Sequence, residues 1–269
     1  MADIAPELYA RIQSEYRQNI RNDKTLQRLI ADVKAGNVAP DTMPRAAERI
    51  GENASKALKS VLKADALPNG ELYYNIATRT VVPELEAVFG DVNAFCESAQ
   101  KIANTNAGVG LNPVSARLNE SRIGGFVEKL TSAPIADVDW MLGEPVINFA
   151  QSVHNDFVRE NASAQYNSGL SPKITRRVMG SCCDWCEGLS GTYDYGEEPD
   201  NFYRMHENCR CQVIFQPVKD KRGNYQDSHT KKWYSEESEA RKERLDALAE
   251  RQRQQEIERK RRIAAAMGD

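Results

Sequence analysis

The sequence has no long apolar run, and this absence limits where the chain can reside. No segment approaches the roughly 20 apolar residues that a membrane-spanning helix needs, and the N-terminal stretch lacks the apolar region of a secretory signal. We therefore expect no membrane association and synthesis in a reducing cytoplasm. In that compartment, clustered cysteines bind metal more often than they form disulfides.

The chain also lacks a strong net charge and has few histidines. The 36 Lys and Arg residues nearly balance the 39 Asp and Glu residues, giving a formal net charge of −3. No overall positive field therefore attracts nucleic acid. Of the three histidines, only His206 lies among the clustered cysteines, and Gly108-Val109-Gly110 is too short to indicate a phosphate-binding loop.

The sequence does contain a dense cluster of residue types that bind metals. Five of the six cysteines fall within residues 182–211, together with His206. Cys183 and Cys186 are separated by two residues, as are His206 and Cys209. Such spacing lets one turn direct two ligands at one ion, and two pairs of this kind suit tetrahedral zinc. We predict a structural zinc site formed by Cys183, Cys186, His206 and Cys209.

Two features of the cluster leave alternatives open. Cys211 is the alternative to Cys209 as the fourth ligand. It begins a predicted strand, in which its side chain could face either side of the sheet. Cys182 is adjacent to Cys183 and should point away from the metal. Disulfides among the five cysteines are the other alternative, although an odd number cannot pair completely.

The periodicity predicts a mainly α fold, with a helical body, a small zinc-bound β unit and an extended C-terminal helix. We place these parts at residues 1–170, 171–218 and 219–269. Strands are predicted around residues 173–179, 191–195 and 211–217. A β unit of about fifty residues is too small to be stable on apolar burial alone, so it needs a cross-link.

Within the helical body, the apolar pattern predicts one helical face that continues from Pro6 to Gly36, and a helix break or kink at Pro83. The clearest helix spans residues 144–166 and ends before Gly169. His154 lies beside its apolar face, where a packing role is expected.

The C-terminal part is highly charged. Its predicted helix begins near Ser235 and carries a thin apolar stripe of Leu245, Leu248 and Ile257. A helix of this kind either stands in solvent or docks on a partner.

The cysteine window resembles the phage head-morphogenesis, or minor capsid, proteins, the group that includes Mu F-like proteins. The shared order is a long helix ending in glycine, a strand, Cys-x-x-Cys-x-x-Leu-x-Gly, a loop, His-x-x-Cys-x-Cys and a strand. The residues that carry the resemblance are Gly169, 174–178, Cys183, Cys186, Leu189, Gly191, His206, Cys209, Cys211 and 213–215. The Cys182–Cys186 segment and the later His229–Trp233 segment are similar to the subgroup from phages of Gram-positive bacteria. Met205 stands where that group more often has proline.

The resemblance implies a structural protein of the virion. Such proteins enter the phage head in few copies, often near the portal, and act in head assembly and in genome packaging or delivery. Expected partners are portal, major capsid or scaffolding protein, with non-specific contact to packaged DNA. The expected location is the head interior, preceded by the host cytoplasm during assembly.

We expect no enzymatic activity. A catalytic zinc usually has three protein ligands and an open position, whereas four ligands are ready here. A nuclease would need further groups, such as Asn224, Asp227 and His229, which are ordinary in a polar turn. The alternative function is a zinc-stabilised nucleic-acid-binding or nuclease-like protein, in which Arg176, Arg177, Arg204 and Arg210 contact phosphate.

Overall fold

The computed structural model describes residues 3–180, 183–206 and 209–218, and in addition Ala247, Glu250 and Gln254. The described chain is mainly helical. Its helices are α1 (Ala5–Asn22), α2 (Lys24–Lys34), α3 (Thr42–Val61), α4 (Tyr74–Asn106), α5 (Glu120–Leu130), α6 (Ile135–Val138), α7 (Glu144–Asn167) and α8 (Asp184–Gly188). Its strands are β1 (Lys173–Arg177), β2 (Gly191–Asp194) and β3 (Gln212–Gln216). The predicted mainly α fold with a small β unit is confirmed.

The helical body is organised around α3 and α7, which pack closely against each other. Small residues of α3 make the close approach possible. A Cβ atom added to Gly51 would lie 2.8 Å from the Cα atom of Ile147 and 2.9 Å from the Cβ atom of Ala150. Gly51 therefore sets the distance between the two helices, and α1 and α4 pack around this pair.

The first predicted helical run is divided at Asp23, which the apolar pattern did not reveal. Asp23 ends α1 and caps α2, because its Oδ1 atom accepts hydrogen bonds from the backbone N–H groups of Thr25 and Leu26, each at 3.0 Å. Its Oδ2 atom accepts from Arg49 and Asn53 of α3, both at 2.8 Å. Burial alone would raise the pKa of this carboxyl, but the hydrogen bonds outweigh burial and lower it.

Other helix boundaries follow the sequence closely. The exception is Pro83, where the predicted break does not occur, because helix α4 continues through this residue. Helix α7 ends in a left-handed glycine, since Gly169 has φ 86° and the Leu170 N–H group donates to the Gln165 carbonyl. Among the described residues, no helix is both long and apolar enough to cross a membrane.

The sheet has the order β2-β1-β3, with both neighbours antiparallel to the central strand. Lys173 pairs with Gln216 at one end of the β1–β3 ladder, and Arg177 pairs with Gln212 at the other. The sheet packs on the C-terminal half of α7 through a small apolar cluster. Its buried members are Val158, Ala162, Ile174, Phe202, Val213 and Phe215.

The chain divides into two compact units, Met1–Arg222 and Gly223–Asp269. The helices and the sheet share the first unit, in which α7 ends at Asn167 and β1 begins at Lys173. In the second unit, Ala247, Glu250 and Gln254 are helical. The predicted N-cap Ser235 and the stripe of Leu245, Leu248 and Ile257 lie outside the described residues.

Candidate metal centre

The first predicted ligand pair is built by the short helix α8. Cys183 immediately precedes this helix and Cys186 lies within it. The Glu187 N–H group donates to the Cys183 carbonyl at 3.1 Å, which closes the turn between the two cysteines. The turn brings both sulfur atoms to the same side, with Cys186 fully buried and Cys183 exposed.

The second pair is held by another hydrogen-bonded turn. The Cys209 N–H group donates to the His206 carbonyl at 3.2 Å. Asn148 of α7 donates to the same carbonyl at 3.4 Å, so the turn is anchored to the long helix. Cys209 is buried and His206 is partly exposed.

The two turns place the four predicted ligands around Cys186, with Cys183 and His206 in one group and Cys209 in another. The Nε2 atom of His206 lies 3.2 Å from the Cys183 sulfur and 3.0 Å from the Cys186 sulfur. The Cys186 and Cys209 sulfurs are 3.6 Å apart. A zinc tetrahedron with bonds of roughly 2.0–2.3 Å has ligand–ligand distances of about 3.5–3.8 Å. Cys183, Cys186 and His206 would therefore fit one ion after small outward movements, and Cys209 would have to move towards Cys183 and His206 to complete the tetrahedron.

Cys211 is the fifth ligand within reach. The ligand atoms fall into two overlapping groups, one of Cys183, Cys186 and His206 and the other of Cys186, Cys209 and Cys211, with all distances inside each group below 4.8 Å. Burial, followed by the neighbouring Cys186 and Cys209 groups, raises the pKa of Cys211 to about 12. Geometry alone therefore leaves Cys209 and Cys211 as competing fourth ligands.

The described cysteines are all free thiols, so the disulfide alternative has no support among them. Cys182 lies outside the described residues. The group of sulfur and imidazole ligands could hold a metal ion.

Sequence reasoning missed the role of Arg176. The sequence pattern predicts a phosphate contact for this arginine, but it is buried against the cluster, with Nη2 3.5 Å from the Cys186 sulfur and 3.8 Å from the Cys209 sulfur. A usable signal was the strand alternation, because Ile174 points inward and residue 176 must then do the same.

An aromatic side chain covers the same side of the cluster. The Trp185 ring contacts the His206 ring edge-on, with centroids 5.6 Å apart, and the Arg176 guanidinium lies 5.4 Å from the Trp185 centroid. Trp185 remains 41% exposed, so it forms a partial cover between the ligands and solvent.

Arg210, which lies between the two competing cysteines, connects the cluster to the helical body. Its guanidinium donates to Glu48 of α3 at 3.0 Å and to Glu144 of α7 at 2.7 Å. These ion pairs occupy a side chain that had been predicted to contact phosphate. Arg177 and Arg204 are the exposed members of that predicted group.

The remaining histidines do not extend the site among the described residues. His154 is fully buried in α7, and its Nδ1 atom lies 3.3 Å from the Asn155 amide oxygen. Burial lowers the pKa of His154 to about 4, which keeps the ring neutral near pH 7. These properties agree with the packing role expected for it. Asn224, Asp227 and His229 lie outside the described residues.

Comparison of the chain with known protein families, curated proteins and solved structures found no match.

Proposed function

We propose that the chain is a phage minor head protein that acts in head assembly and in genome packaging or delivery near the portal. The observation that carries the proposal is the order of structural parts around the cysteine cluster. Helix α7, Gly169, β1, the Cys183–Cys186 turn, β2, the His206–Cys209 turn and β3 follow one another. This is the order in which the resembling head-morphogenesis proteins carry the same motifs.

The metal in this proposal is zinc. Thiolate and imidazole ligands favour zinc over calcium and magnesium, which prefer oxygen. Two of the predicted ligands, Cys186 and Cys209, are buried, and four protein ligands leave no open position for a substrate. Both properties support a structural ion and a chain that is not an enzyme.

The expected partners are portal, major capsid or scaffolding protein, and packaged DNA makes non-specific contact at most. Arg176 and Arg210 make internal contacts, so Arg177 and Arg204 are the exposed arginines near the cluster among the described residues. Two exposed charges support weak phosphate contact rather than sequence-specific recognition, which normally places a helix or ribbon in a groove.

Mass spectrometry of purified heads tests the proposed function. Particles would be prepared from the phage that encodes the chain, and DNA-filled heads would be separated from empty ones. We expect the chain in both fractions at a few copies per head. Absence of the chain from both fractions, with portal and capsid protein detected normally, would contradict a virion role.

A truncation after Trp233 locates the docking segment. If the charged C-terminal part binds a head partner, the truncated protein should be soluble and zinc-loaded but fail to enter heads when it complements a deletion phage. Normal incorporation would assign docking to residues 1–233 instead.

A nuclease assay separates the proposal from the nucleic-acid-processing alternative. The purified protein would be incubated with duplex and single-stranded DNA in the presence of magnesium, manganese or added zinc. We expect no cleavage above a matched preparation of Cys183→Ser. Cleavage by the parent that is lost in Cys183→Ser would favour the alternative.

A further inference from the structure

Arg176 is a buried cation in the middle of the sheet. It lies on the central strand β1 and is 2% exposed, while its neighbour Arg177 points outward. Arginine stays charged in proteins, so this position places a full positive charge inside the β unit.

The guanidinium is held by groups from three parts of the chain. Its Nη1 atom donates to the carbonyl oxygens of Phe202 and Arg204, the latter at 2.8 Å. Its Nη2 atom points at the sulfurs of Cys186 and Cys209, at 3.5 and 3.8 Å. These contacts fix the guanidinium plane directly behind the metal cluster.

No carboxylate of the described residues lies within ion-pair distance of Arg176. Arg210, only partly buried, has two carboxylate partners, Glu48 and Glu144. An uncompensated buried charge is strongly destabilising. The two cysteine sulfurs are the groups in contact with Arg176 that can carry a full negative charge.

The net charge of the metal centre together with Arg176 becomes zero when a divalent ion is bound. Three thiolates and one neutral imidazole around a divalent cation carry a net charge of −1, and the guanidinium brings the total to zero. A site with two thiolates and two neutral ligands would already be neutral and would leave Arg176 without a counter-charge. The contact of Arg176 with the Cys209 sulfur favours Cys209 as the fourth ligand.

We propose that Arg176 is the positioning residue that neutralises the metal centre, and that the centre consists of Cys183, Cys186, Cys209 and His206. This inference rests on the proposed zinc site. It assigns Cys211 as a buried thiol beside the site. Hydrogen bonding and positive charge also withdraw electron density from the Cys186 and Cys209 sulfurs, so the loaded thiolates should be poor nucleophiles.

The test uses the full chain loaded with cobalt(II), whose absorption reports thiolate ligation, and with zinc in competition against a chromophoric chelator. Arg176→Gln should weaken zinc binding by about 10–100-fold, in line with the effect of removing an outer partner of a metal ligand. It should also move the sulfur-to-cobalt charge-transfer band to lower energy, because the sulfurs lose a hydrogen-bond donor. Arg177→Gln, the adjacent outward-facing control, should change neither quantity.

Serine variants test the assignment of the fourth ligand. Cys209→Ser should reduce the charge-transfer intensity by about one third, since one of three thiolates is lost, whereas Cys211→Ser should leave it at the parent level. The effect of Arg176→Gln on zinc affinity should also be smaller in the Cys209→Ser background than in the parent. The assignment would be overturned if the effects of Arg176→Gln and Cys209→Ser on zinc affinity were additive. It would also be overturned if Cys211→Ser, and not Cys209→Ser, reduced the charge-transfer intensity.

The outcomes separate this inference from the zinc proposal beneath it. A parent chain that binds no metal contradicts the zinc site itself. If the parent binds metal and Arg176→Gln changes neither the zinc affinity nor the position of the charge-transfer band, only the role of Arg176 is contradicted. If Arg176→Gln fails to fold, Arg176→Lys tests the role of the positive charge instead. A folded, metal-binding lysine variant supports charge compensation, and an unfolded one shows that the shape of the guanidinium matters instead of its charge.

Discussion

The helical body and the β unit are stabilised in different ways. The body contains a continuous apolar core drawn from α1 to α7, in which side chains such as Ile12, Leu58 and Leu85 are fully buried. Among the described residues, the β unit has a small apolar cluster that it shares with α7, and a second cluster made of Cys186, Cys209 and Cys211. The sulfur atoms occupy the place that a core would fill.

This difference indicates which part of the chain would depend on the proposed metal. Apolar burial of roughly 25 cal/mol per Å² accumulates over the helices and suffices for a body of this size. The three short strands bury too little surface to offset the entropy of ordering their loops. The chain therefore has one part that should fold without metal and another that should depend on it.

Loss of the metal should have the largest effect. Cys186→Ser removes the buried ligand that both groups of candidate metal ligands share. Structural zinc contributes roughly 10 kcal/mol or more to the folding free energy of small domains. We expect residues 173–217 to become sensitive to limited proteolysis while helical circular dichroism is retained. Cys96→Ser is the matched control, since Cys96 is buried in α4, away from the sulfur cluster. Equal protease resistance in parent and Cys186→Ser would show that the metal does not hold the unit.

A change in the helix contact should affect the body alone. In Gly51→Ala the new methyl group would overlap the backbone of Ile147, so α3 and α7 must separate. We expect a loss of about 2 kcal/mol in the free energy of unfolding, typical of overpacking. Zinc affinity should stay unchanged, and thermal unfolding followed by circular dichroism measures the loss.

Gly90→Ala provides the control for that prediction. Gly90 is exposed within α4 and a Cβ atom there meets nothing within 4 Å. The change should stabilise the protein by roughly 0.5–1 kcal/mol, because alanine favours the helix. Equal effects of the two substitutions would mean that the α3–α7 distance is not set by Gly51.

A buried carboxyl gives the body its own pH dependence. Glu84 of α4 is fully buried, and its oxygens have no hydrogen-bond partner among the described residues. Burial, reinforced by Asp91, raises the pKa of Glu84 from 4.5 to about 7. Between these values the folded chain binds a proton that the unfolded chain has released, so stability should fall as pH rises from 4.5 to 7.

Glu84→Gln should remove this part of the pH dependence. Glutamine keeps the shape but does not ionise, so we expect a gain of about 3 kcal/mol at pH 8 and a much smaller change at pH 4.5. Urea denaturation of parent and variant across this range measures both values. If the free energies of unfolding of Glu84→Gln and of the parent differed by the same amount at every pH, the pH dependence would belong to other groups.

The smallest loss of stability should come from breaking the link between the helical body and the β unit. Arg210→Gln removes the ion pairs to Glu48 and Glu144, which are partly exposed, so about 1 kcal/mol is expected. The thermal midpoint of the zinc-loaded β unit should fall slightly, and high salt should reduce the difference. Arg204→Gln, which removes an exposed contact to Asn201, is the control.

The parts predictable from sequence are those set by neighbouring residues. Helix α7 was predicted nearly to its ends because Pro145 lies in its first turn and Gly169 follows its last. The ligand pairs were predictable because each forms within one turn. The division at Asp23 was not, since its carboxylate is held by Arg49 and Asn53 from another helix.

The same distinction explains why the role of Arg176 was missed. Its partners are the carbonyls of Phe202 and Arg204 and two cysteine sulfurs, all of which reach it only after the chain has folded back. A basic residue near a metal motif is typical of a phosphate contact in sequence, but burial reverses that interpretation.

The pairing of β1 with β3 determines how the β unit would respond to a pulling force. Lys173 and Gln216 lie opposite each other, so tension applied between the end of α7 and the chain beyond Val218 acts on a single end of the ladder. The strand pairs would then separate one after another rather than all at once. Peeling would proceed towards Arg177 and Gln212, next to the cysteine cluster, where a bound metal would act as a stop.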